Sequence, residues 1–289
     1  LATAGGVGFF ARKHGLTIDH VTGAEVVLAD GRIVRADDEL LWALRGAGGN
    51  FGIVTAFELA AYPVGNVVFA SMVFDAGATA PLLERWGATV EAAPRELTSF
   101  LTMARGVAYM YSVYAGDNAA AAVEALTPLL EIGPVLDQQA QLVPYPAIVA
   151  PQGAIHRGGA DADFRAGLLD HITPEAAQAI ETLNAPILQI RSVGGAINDV
   201  DPSATAYAHR TQNFSVNATG RNLSERWDEV VYPHTNGLYL SFDSDRRPER
   251  LHDAFPGETL ERLRRLKAVY DPDNVFNQNF PITPAELVA

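Results

Sequence analysis

The sequence predicts an α+β protein in which an antiparallel sheet carries helices on one side. Two β-rich runs joined by Asp30-Gly31 are the strongest short-range signal for an antiparallel hairpin. After Pro63, strand-like and helix-like segments alternate, but without the glycine fingerprint of a parallel nucleotide-binding sheet. Near the end, residues 258–270 place leucines at helical spacing. These observations favour a sheet with packed helices over a doubly wound fold.

The elements before Pro63 are a hairpin, a short helix and a strand. The hairpin covers residues 24–36. Acidic residues then open a helix over 37–45, which ends at the glycines of 46–49. Residues 51–59 return to strand, and the break at Pro63 is the first predicted domain boundary.

The elements after this break are assigned from periodicity. Residues 135–164 contain prolines, glycines and glutamines without a clear period, so we expect loops there. On the last predicted helix, Leu260, Leu263, Leu266 and Val269 are expected to share one packed face. The predicted strands are 67–75, 110–115, 187–193, 207–216 and 238–242. The predicted helices are 80–92, 118–130, 173–183 and 258–270.

Composition and charge exclude several classes of function. The 289 residues are 48% hydrophobic and 19% charged, as in globular proteins. A net charge of −13 repels phosphate backbones and anionic lipids, so neither nucleic acid nor a membrane is an expected partner. Without cysteine, the chain has no thiolate nucleophile and no cysteinyl flavin link. Its seven histidines lack the spacing of a helix-borne metal pair, so no metal is predicted.

Two glycine clusters are the first candidates for a binding site. Residues 5–8 and 46–52 both offer backbone that a flat or charged ligand could approach closely. The first cluster satisfies a dinucleotide pattern, but the acid that a nicotinamide site needs would be Asp30, which the hairpin turn uses. We therefore reject a nicotinamide site. The alternative for either cluster alone is glycines that serve only loop geometry.

The order of five segments resembles the later part of the FAD domain of berberine-bridge-like oxidases, in the vanillyl-alcohol-oxidase superfamily. These segments are Ala4–Gly8, Arg12–Asp19, Ala29–Gly31, Leu41–Gly46 and Gly48–Thr55. Independently, Tyr270–Phe276 followed by Asn279 and Ile282 is similar to the closing segment of that family.

The resemblance implies the remainder of a PCMH-type FAD-binding subdomain, an antiparallel-sheet substrate domain, and a C-terminal segment that returns to the FAD domain. The corresponding domains are 1–64, 65–250 and 251–289. FAD is the implied cofactor. By motif position, the residues implied to bind it are Gly5, Gly6, Val7, Gly8, Gly15, Leu16, Asp19, Gly49, Asn50, Gly52, Val54 and Asn279.

The resemblance also implies Tyr239 as the catalytic residue that helps to take the substrate's hydroxyl proton, with Arg210 as a second catalytic candidate beside it. A free phenol titrates near ~10, so a base of this type needs a cation or a hydrogen-bond donor nearby. The alternative is that Tyr239 is an aromatic residue packed on a half-buried strand. Ser241 stands where the family usually has Asn, and Phe280 and Pro281 replace polar residues.

The implied reaction is oxidation of an alcohol carbon of a sugar, an alkaloid or another secondary metabolite. A hydride passes to flavin N5, and dioxygen is the expected acceptor. In the family, the histidine that carries FAD covalently precedes the first matching segment, so we expect the chain to be a C-terminal portion. Its expected partners are a small-molecule substrate and the N-terminal half of the FAD domain. The alternative function is a non-catalytic fragment or a binding pseudoenzyme, and the sequence assigns no cellular location.

Overall fold

The computed structural model describes residues 1–149 and 162–286. The strands are β1 (Val21–Val27), β2 (Ile33–Arg35), β3 (Ile53–Leu59), β4 (Asn66–Asp75), β5 (Leu97–Ala104), β6 (Val107–Tyr114), β7 (Val135–Pro144), β8 (Asp163–Leu169), β9 (Ile187–Ser192) and β10 (Phe214–Gly220). The α-helices are α1 (Ala11–His14), α2 (Asp38–Leu44), α3 (Thr79–Ala92), α4 (Ala119–Leu126), α5 (Pro146–Val149), α6 (Pro174–Leu183), α7 (Ser224–Val230), α8 (Glu249–Ala254) and α9 (Glu258–Tyr270).

A seven-stranded sheet forms the centre of the molecule. Its order is β7-β4-β6-β5-β9-β10-β8, and every neighbouring pair is antiparallel. The strands alternate buried and more exposed residues, as expected for a sheet with one covered face. Helices α3, α4, α6 and α7 bury their apolar residues against that face, around Trp86 and Trp227. Among the described residues, none of these four helices packs on the opposite face.

A smaller sheet of order β2-β1-β3 holds the predicted hairpin. Gly31 has φ +85°, a left-handed conformation that glycine adopts readily in such a turn. Asp37 caps α2 by accepting a hydrogen bond from the Leu40 amide at 2.9 Å. One apolar core joins this sheet and α2 to α8, α9 and residues up to Ile282, so the C-terminal segment packs on the first 64 residues.

The structure confirms most predicted elements. Seven elements lie within a few residues of their predicted bounds: the hairpin, α2, β3, β4, α3, α6 and β9. Helix α9 has the predicted bounds. The predicted helix at 118–130 is α4 followed by a 3-10 helix at Thr127–Glu131. The α+β fold with helices on one side of an antiparallel sheet is therefore correct.

Several predicted elements were wrong. Residues 207–213 are not strand, because β10 begins only at Phe214. The predicted strand at 238–242 is extended only at its start and turns into a 3-10 helix at Leu240–Phe242. Val269 is 64% exposed and lies off the packed face of α9. Residues 135–144, predicted as loop, form the edge strand β7, whereas residues 150–161 of that predicted loop lie outside the described residues.

Two further strands, β5 and β8, carried no predicted assignment. Within the part of the chain that the structure describes, no helix combines the length and the hydrophobicity needed to cross a bilayer.

Candidate functional site

Tyr239 packs against residues 5–8, which we call the first glycine loop; residues 46–52 are the second glycine loop. Its side chain is buried, and its hydroxyl oxygen accepts a hydrogen bond from the Gly6 amide at 3.1 Å. Gly5 has φ +125°, and a methyl group added there would lie 2.7 Å from the ring of Tyr239. A glycine at this position therefore lets the chain's own tyrosine approach the backbone.

The other predicted glycines divide into two groups. A methyl group at Gly6, Gly15 or Gly52 would meet atoms of this chain: Thr17 at 2.4 Å, Asp19 at 2.9 Å and the carbonyl oxygen of Val27 at 2.7 Å. These glycines are explained by internal packing. In contrast, Gly8 and Gly49 have open space where a side chain would begin. Close approach of a ligand is therefore best supported at these two positions.

Arg210 forms a buried ion pair with Asp19. Its two terminal nitrogens donate to the two carboxylate oxygens at 3.0 and 2.8 Å, the bidentate geometry that suits this pair. Asp19 also accepts from the Leu16 amide at 2.8 Å. The carboxylate is thus occupied from within the chain, and the pair fixes the 15–19 turn against the segment that carries Arg210.

The catalytic role of Arg210 stays a prediction, and its observed contacts are with other groups than Tyr239. Besides Asp19, its donors reach Thr205 and the carbonyl oxygens of Ile197 and Tyr207, and no hydrogen bond joins it to Tyr239 in the described structure. Arg210 packs on the ring of Tyr207, and that ring packs edge-on against Tyr239. Its observed role is to position the turn.

The cation on the other side of Tyr239 is Arg191, which the sequence analysis did not single out. Its guanidinium lies 4.3 Å from the ring centre of Phe242, and Phe242 packs edge-on against Tyr239 at 5.4 Å. The far side of Arg191 faces Phe100 at 5.2 Å, and Phe100 stacks on Phe9 at 4.5 Å. Tyr239 and the glycine loop are thus joined to the sheet through an aromatic series with a cation in its middle.

Arg191 belongs to the uncovered face of the seven-stranded sheet. In the strand register, Arg191 lies opposite Phe100, and Phe100 lies opposite Tyr111. The next row places Gln189 opposite Thr102 and Thr102 opposite Tyr109. Directly opposite residues share a face, so this surface combines aromatic rings with amide and hydroxyl groups. We call it the sheet face, defined by Phe100, Thr102, Tyr109, Tyr111, Gln189 and Arg191.

A cleft of about 490 Å³ lies where the second glycine loop meets the C-terminal segment. We call it the C-terminal cleft, and its lining includes Ala4, Gly48, Gly49, Ser241, Arg246 and Asn279. Asn279 is exposed with φ +52°, and its amide oxygen accepts weakly from Arg246 at 3.5 Å. The structure thus brings together three of the predicted cofactor residues, Gly49, Asn50 and Asn279, around one cleft.

Asn50 lines this cleft and joins the second glycine loop to the C-terminal segment. Its side-chain nitrogen donates to the carbonyl oxygens of Ala47 and Phe280, and its oxygen accepts from the Ile282 amide at 3.0 Å. Both ends of the amide are therefore satisfied within the protein. The role of Asn50 in binding the cofactor stays a prediction, and its observed hydrogen bonds position the second glycine loop.

Lys267 adds a second connection to the same loop. Its buried ammonium donates to the carbonyl oxygen of Asn50 at 2.6 Å, to Asp271 at 2.5 Å and to the carbonyl oxygen of Phe276 at 2.8 Å. Asp271 also accepts from the amides of Val275 and Phe276. These contacts link the Tyr270–Phe276 motif to the second glycine loop.

The remaining predicted cofactor residues, Val7, Leu16 and Val54, contribute packing. Val7 and Leu16 are buried in an apolar cluster that includes Tyr239. Val54 is half-buried against the core of the smaller sheet. Their side chains therefore support the loops and leave only backbone atoms to face a ligand.

His209 lies behind Tyr207 and is buried. Burial lowers its pKa to about 4, and the carbonyl oxygen of Ala254, 3.1 Å from Nε2, offsets this only in part. The imidazole is therefore neutral at pH 7. No group of three His, Asp or Glu side chains in residues 1–149 and 162–286 is placed to hold a metal ion.

Comparisons with known proteins show which proteins this chain is similar to. Residues 240–283 match the family described as "Berberine and berberine like". The chain is 27% identical to a chitooligosaccharide oxidase of Gibberella zeae over 98% of its length and 67% of the relative. A xylooligosaccharide oxidase of Thermothelomyces thermophilus is also 27% identical, with 98% and 67% coverage. The chain thus spans about two thirds of the length of these relatives.

A solved structure of a chitooligosaccharide oxidase superposes with a TM-score of 0.83 at 24% identity, covering 98% of this chain and 70% of that one. A BBE-like protein of Physcomitrella patens gives 0.86 at 21% identity, with the same coverage. These likenesses show the fold.

The fold, the glycine loops and the homologues define the class of FAD-linked oxidoreductases, with FAD as the cofactor. Within this class, the domain at residues 240–283 is berberine-like. The resemblance drawn from the motifs is therefore confirmed, whereas the roles of individual residues stay predictions.

Proposed function

We propose that this protein oxidises an alcohol carbon of a carbohydrate, with Tyr239 reacting as the phenolate and receiving the hydroxyl proton. The observation that carries the proposal is the hydroxyl of Tyr239, which the Gly6 amide holds at 3.1 Å between the glycine loop and the sheet face. An amide that donates to the phenolic oxygen stabilises negative charge there, as a proton acceptor requires.

The residues present fit a flavin. Gly8 and Gly49 leave open space beside the backbone, and the C-terminal cleft places the exposed amide of Asn279 opposite Gly49. Backbone amides and a side-chain amide are suitable partners for the carbonyl and ring nitrogen atoms of an isoalloxazine. We infer that Gly8, Gly49 and Asn279 hold part of the FAD.

Bound FAD supplies the acceptor for the hydride at N5, and dioxygen is the proposed acceptor of the two electrons afterwards. The chain's own contribution is to orient the alcohol and to hold the proton at the Tyr239 oxygen. Only 2% of Tyr239 is exposed, so the loop of residues 5–8 has to shift before an alcohol reaches its hydroxyl. Phe9 stacks on Phe100 and thereby ties this loop to the sheet face.

Two findings favour a carbohydrate as the substrate. The sheet face combines exposed aromatic rings, Tyr109 and Tyr111, with the side chains of Thr102 and Gln189, which are hydrogen-bonded at 3.4 Å. Aromatic rings pack on the apolar faces of sugars, and amides bond their hydroxyl groups. In addition, three similar proteins are named chitooligosaccharide, xylooligosaccharide and carbohydrate oxidases.

The first test is a visible spectrum of the purified protein before and after acid precipitation. Flavin absorption near ~450 nm at about one FAD per chain is expected, because FAD is the cofactor of the class. FAD-loaded protein is then mixed with chitobiose or xylobiose, and oxygen uptake and hydrogen peroxide are measured. A flavin-loaded protein that oxidises neither sugar contradicts the carbohydrate proposal. A colourless protein that does not bind added FAD favours the non-catalytic alternative.

A further inference from the structure

Arg191 is a cation in the candidate site without a carboxylate partner. Among the residues that the structure describes, no Asp or Glu oxygen lies within the 4.0 Å of an ion pair with it. Other buried arginines do have a charged or carbonyl partner: Arg210 binds Asp19, Arg250 binds Asp243, and Arg12 binds three carbonyl oxygens. A half-buried guanidinium that stays charged without a counterion is costly, so a functional reason is expected.

The guanidinium is nevertheless held firmly. Phe100 and Phe242 lie at 5.2 and 4.3 Å from its central carbon, and Nε donates to the side-chain oxygen of Gln189 at 3.0 Å. These contacts use the ring faces and one of its five N–H groups. The two terminal nitrogens have no hydrogen-bond partner among the described residues and are not fully enclosed. Four aligned N–H donors are therefore available on a fixed fork.

A planar fork of N–H donors matches a carboxylate, which accepts two parallel hydrogen bonds from it. Burial lowers the pKa of Arg191 from its ordinary value of 12.5, but the guanidinium stays charged at neutral pH. The fork is part of the sheet face, in the same row as Phe100 and Tyr111, and is one aromatic ring away from Tyr239. An anion bound there would lie next to the reacting alcohol.

We propose that Arg191 binds the carboxylate of an acidic sugar, so that the substrate class is a uronic acid and not a neutral sugar. This inference rests on the proposed oxidation of a carbohydrate. The carboxylate supplies the missing counterion, and the aromatic and amide groups of the sheet face hold the ring. The alcohol carbon is then presented towards Tyr239.

The test uses full-length, FAD-loaded protein and three sugars that share the same hemiacetal carbon. Glucuronate carries a carboxylate where glucose carries a hydroxymethyl group and xylose carries hydrogen. We expect kcat/KM for glucuronate to exceed the value for glucose by roughly 10- to 100-fold, the range of a charge-assisted hydrogen-bonded pair. Binding of glucuronate and of glucose is also measured by calorimetry without oxygen.

Variants assign the preference to Arg191. In Arg191→Gln, the KM for glucuronate should rise by about 10-fold or more, and by a larger factor than the KM for glucose. Arg191→Lys keeps the charge but loses the fork and should fall between the two. The matched control is Arg95→Gln, which removes one exposed charge that is paired with Asp199.

Two results would overturn the inference while the proposed function stands: equal use of glucose and glucuronate by the wild-type protein, or an equal loss of both in Arg191→Gln. A changed flavin spectrum in Arg191→Gln without sugar also contradicts it, because the cation would then serve the cofactor. If no sugar is oxidised, the proposed function fails, and calorimetry decides the inference separately. Arg191-dependent binding of glucuronate supports it, and absence of such binding overturns it.

Discussion

The hydroxyl oxygen of Tyr239 accepts a hydrogen bond from the amide of Gly6, a residue 233 positions earlier in the chain. This bond joins the glycine loop to the segment after β10 and lies between the two sheets. Both groups are buried, so neither can exchange its partner for water without movement of the loop. The candidate catalytic residue is thereby also part of the core.

Replacing Tyr239 by phenylalanine separates these two roles. We expect kcat to fall by about 10²- to 10⁴-fold, because the proton acceptor is lost. The free energy of unfolding should fall by about 1–3 kcal/mol, because the buried Gly6 amide loses its acceptor. Oxygen uptake and urea denaturation measure the two effects. Tyr62→Phe, on an exposed ring, is the control, and an unchanged kcat in Tyr239→Phe would make Tyr239 a packing residue only.

Alanine substitutions at Gly5 and Gly8 should have different effects. Gly5→Ala introduces a methyl group 2.7 Å from the Tyr239 ring at φ +125°, so we expect a loss of about 1–3 kcal/mol of stability together with activity. Gly8→Ala meets no atom within 4 Å, so stability should be unchanged while FAD binds more weakly. Denaturation and flavin titration are the measurements. Wild-type affinity for FAD in Gly8→Ala would remove Gly8 from the cofactor site.

The ion pair between Asp19 and Arg210 should govern stability. Asp19→Asn and Arg210→Gln each leave one buried charge unpaired, which costs about 3–5 kcal/mol, and the double variant should lose less than the sum. A double-mutant cycle in urea measures the coupling. Activity is compared at a temperature where both variants are folded. A selective loss of kcat in Arg210→Gln, with Asp19→Asn active, would support a catalytic role for Arg210.

The buried His209 predicts a loss of stability in mild acid. Burial lowers its pKa from 6.5 to about 4, so between these values the unfolded chain binds a proton that the folded protein does not. Stability attributable to this residue is therefore complete above about pH 6.5 and falls as the pH approaches 4, by about 3 kcal/mol. Unfolding free energies of the wild type and of His209→Gln across this window give the difference. The control is the exposed His252→Gln, and parallel curves for wild type and His209→Gln would contradict the assignment.

The sequence was most informative where local rules decide the structure. The Asp30-Gly31 turn requires a left-handed glycine and therefore fixes the hairpin, and α9 follows from its leucine spacing. Residues 238–242 were misassigned because alternating hydrophobic residues suggest a strand. In the structure, the Leu238 amide bonds to the carbonyl oxygen of Asp253 and not to a neighbouring strand. That partner is a tertiary contact which periodicity cannot show.

The candidate site was predictable only in part, because the sequence shows local motifs but not the distant residues that contact them. Glycine positions and family motifs located Gly8, Gly49 and Asn279, but they could not separate these residues from Gly5 or Asn50, whose partners are distant parts of the chain. Arg191 carried a usable signal. In β9, Gln189 and Arg191 alternate with the buried Leu188 and Ile190, which places both polar side chains on the uncovered face.

The hydrogen bonds of the Asn50 side chain have a consequence for folding during synthesis on the ribosome. Asn50 is synthesised 232 residues before Ile282, whose amide its side-chain oxygen accepts. At a translation rate of roughly 5–20 residues per second, on the order of 10 to 50 s pass between the synthesis of Asn50 and that of Ile282. Throughout this interval the C-terminal cleft lacks the hydrogen bond between Asn50 and Ile282. Flavin binding at this cleft is therefore expected only after Ile282 has been synthesised.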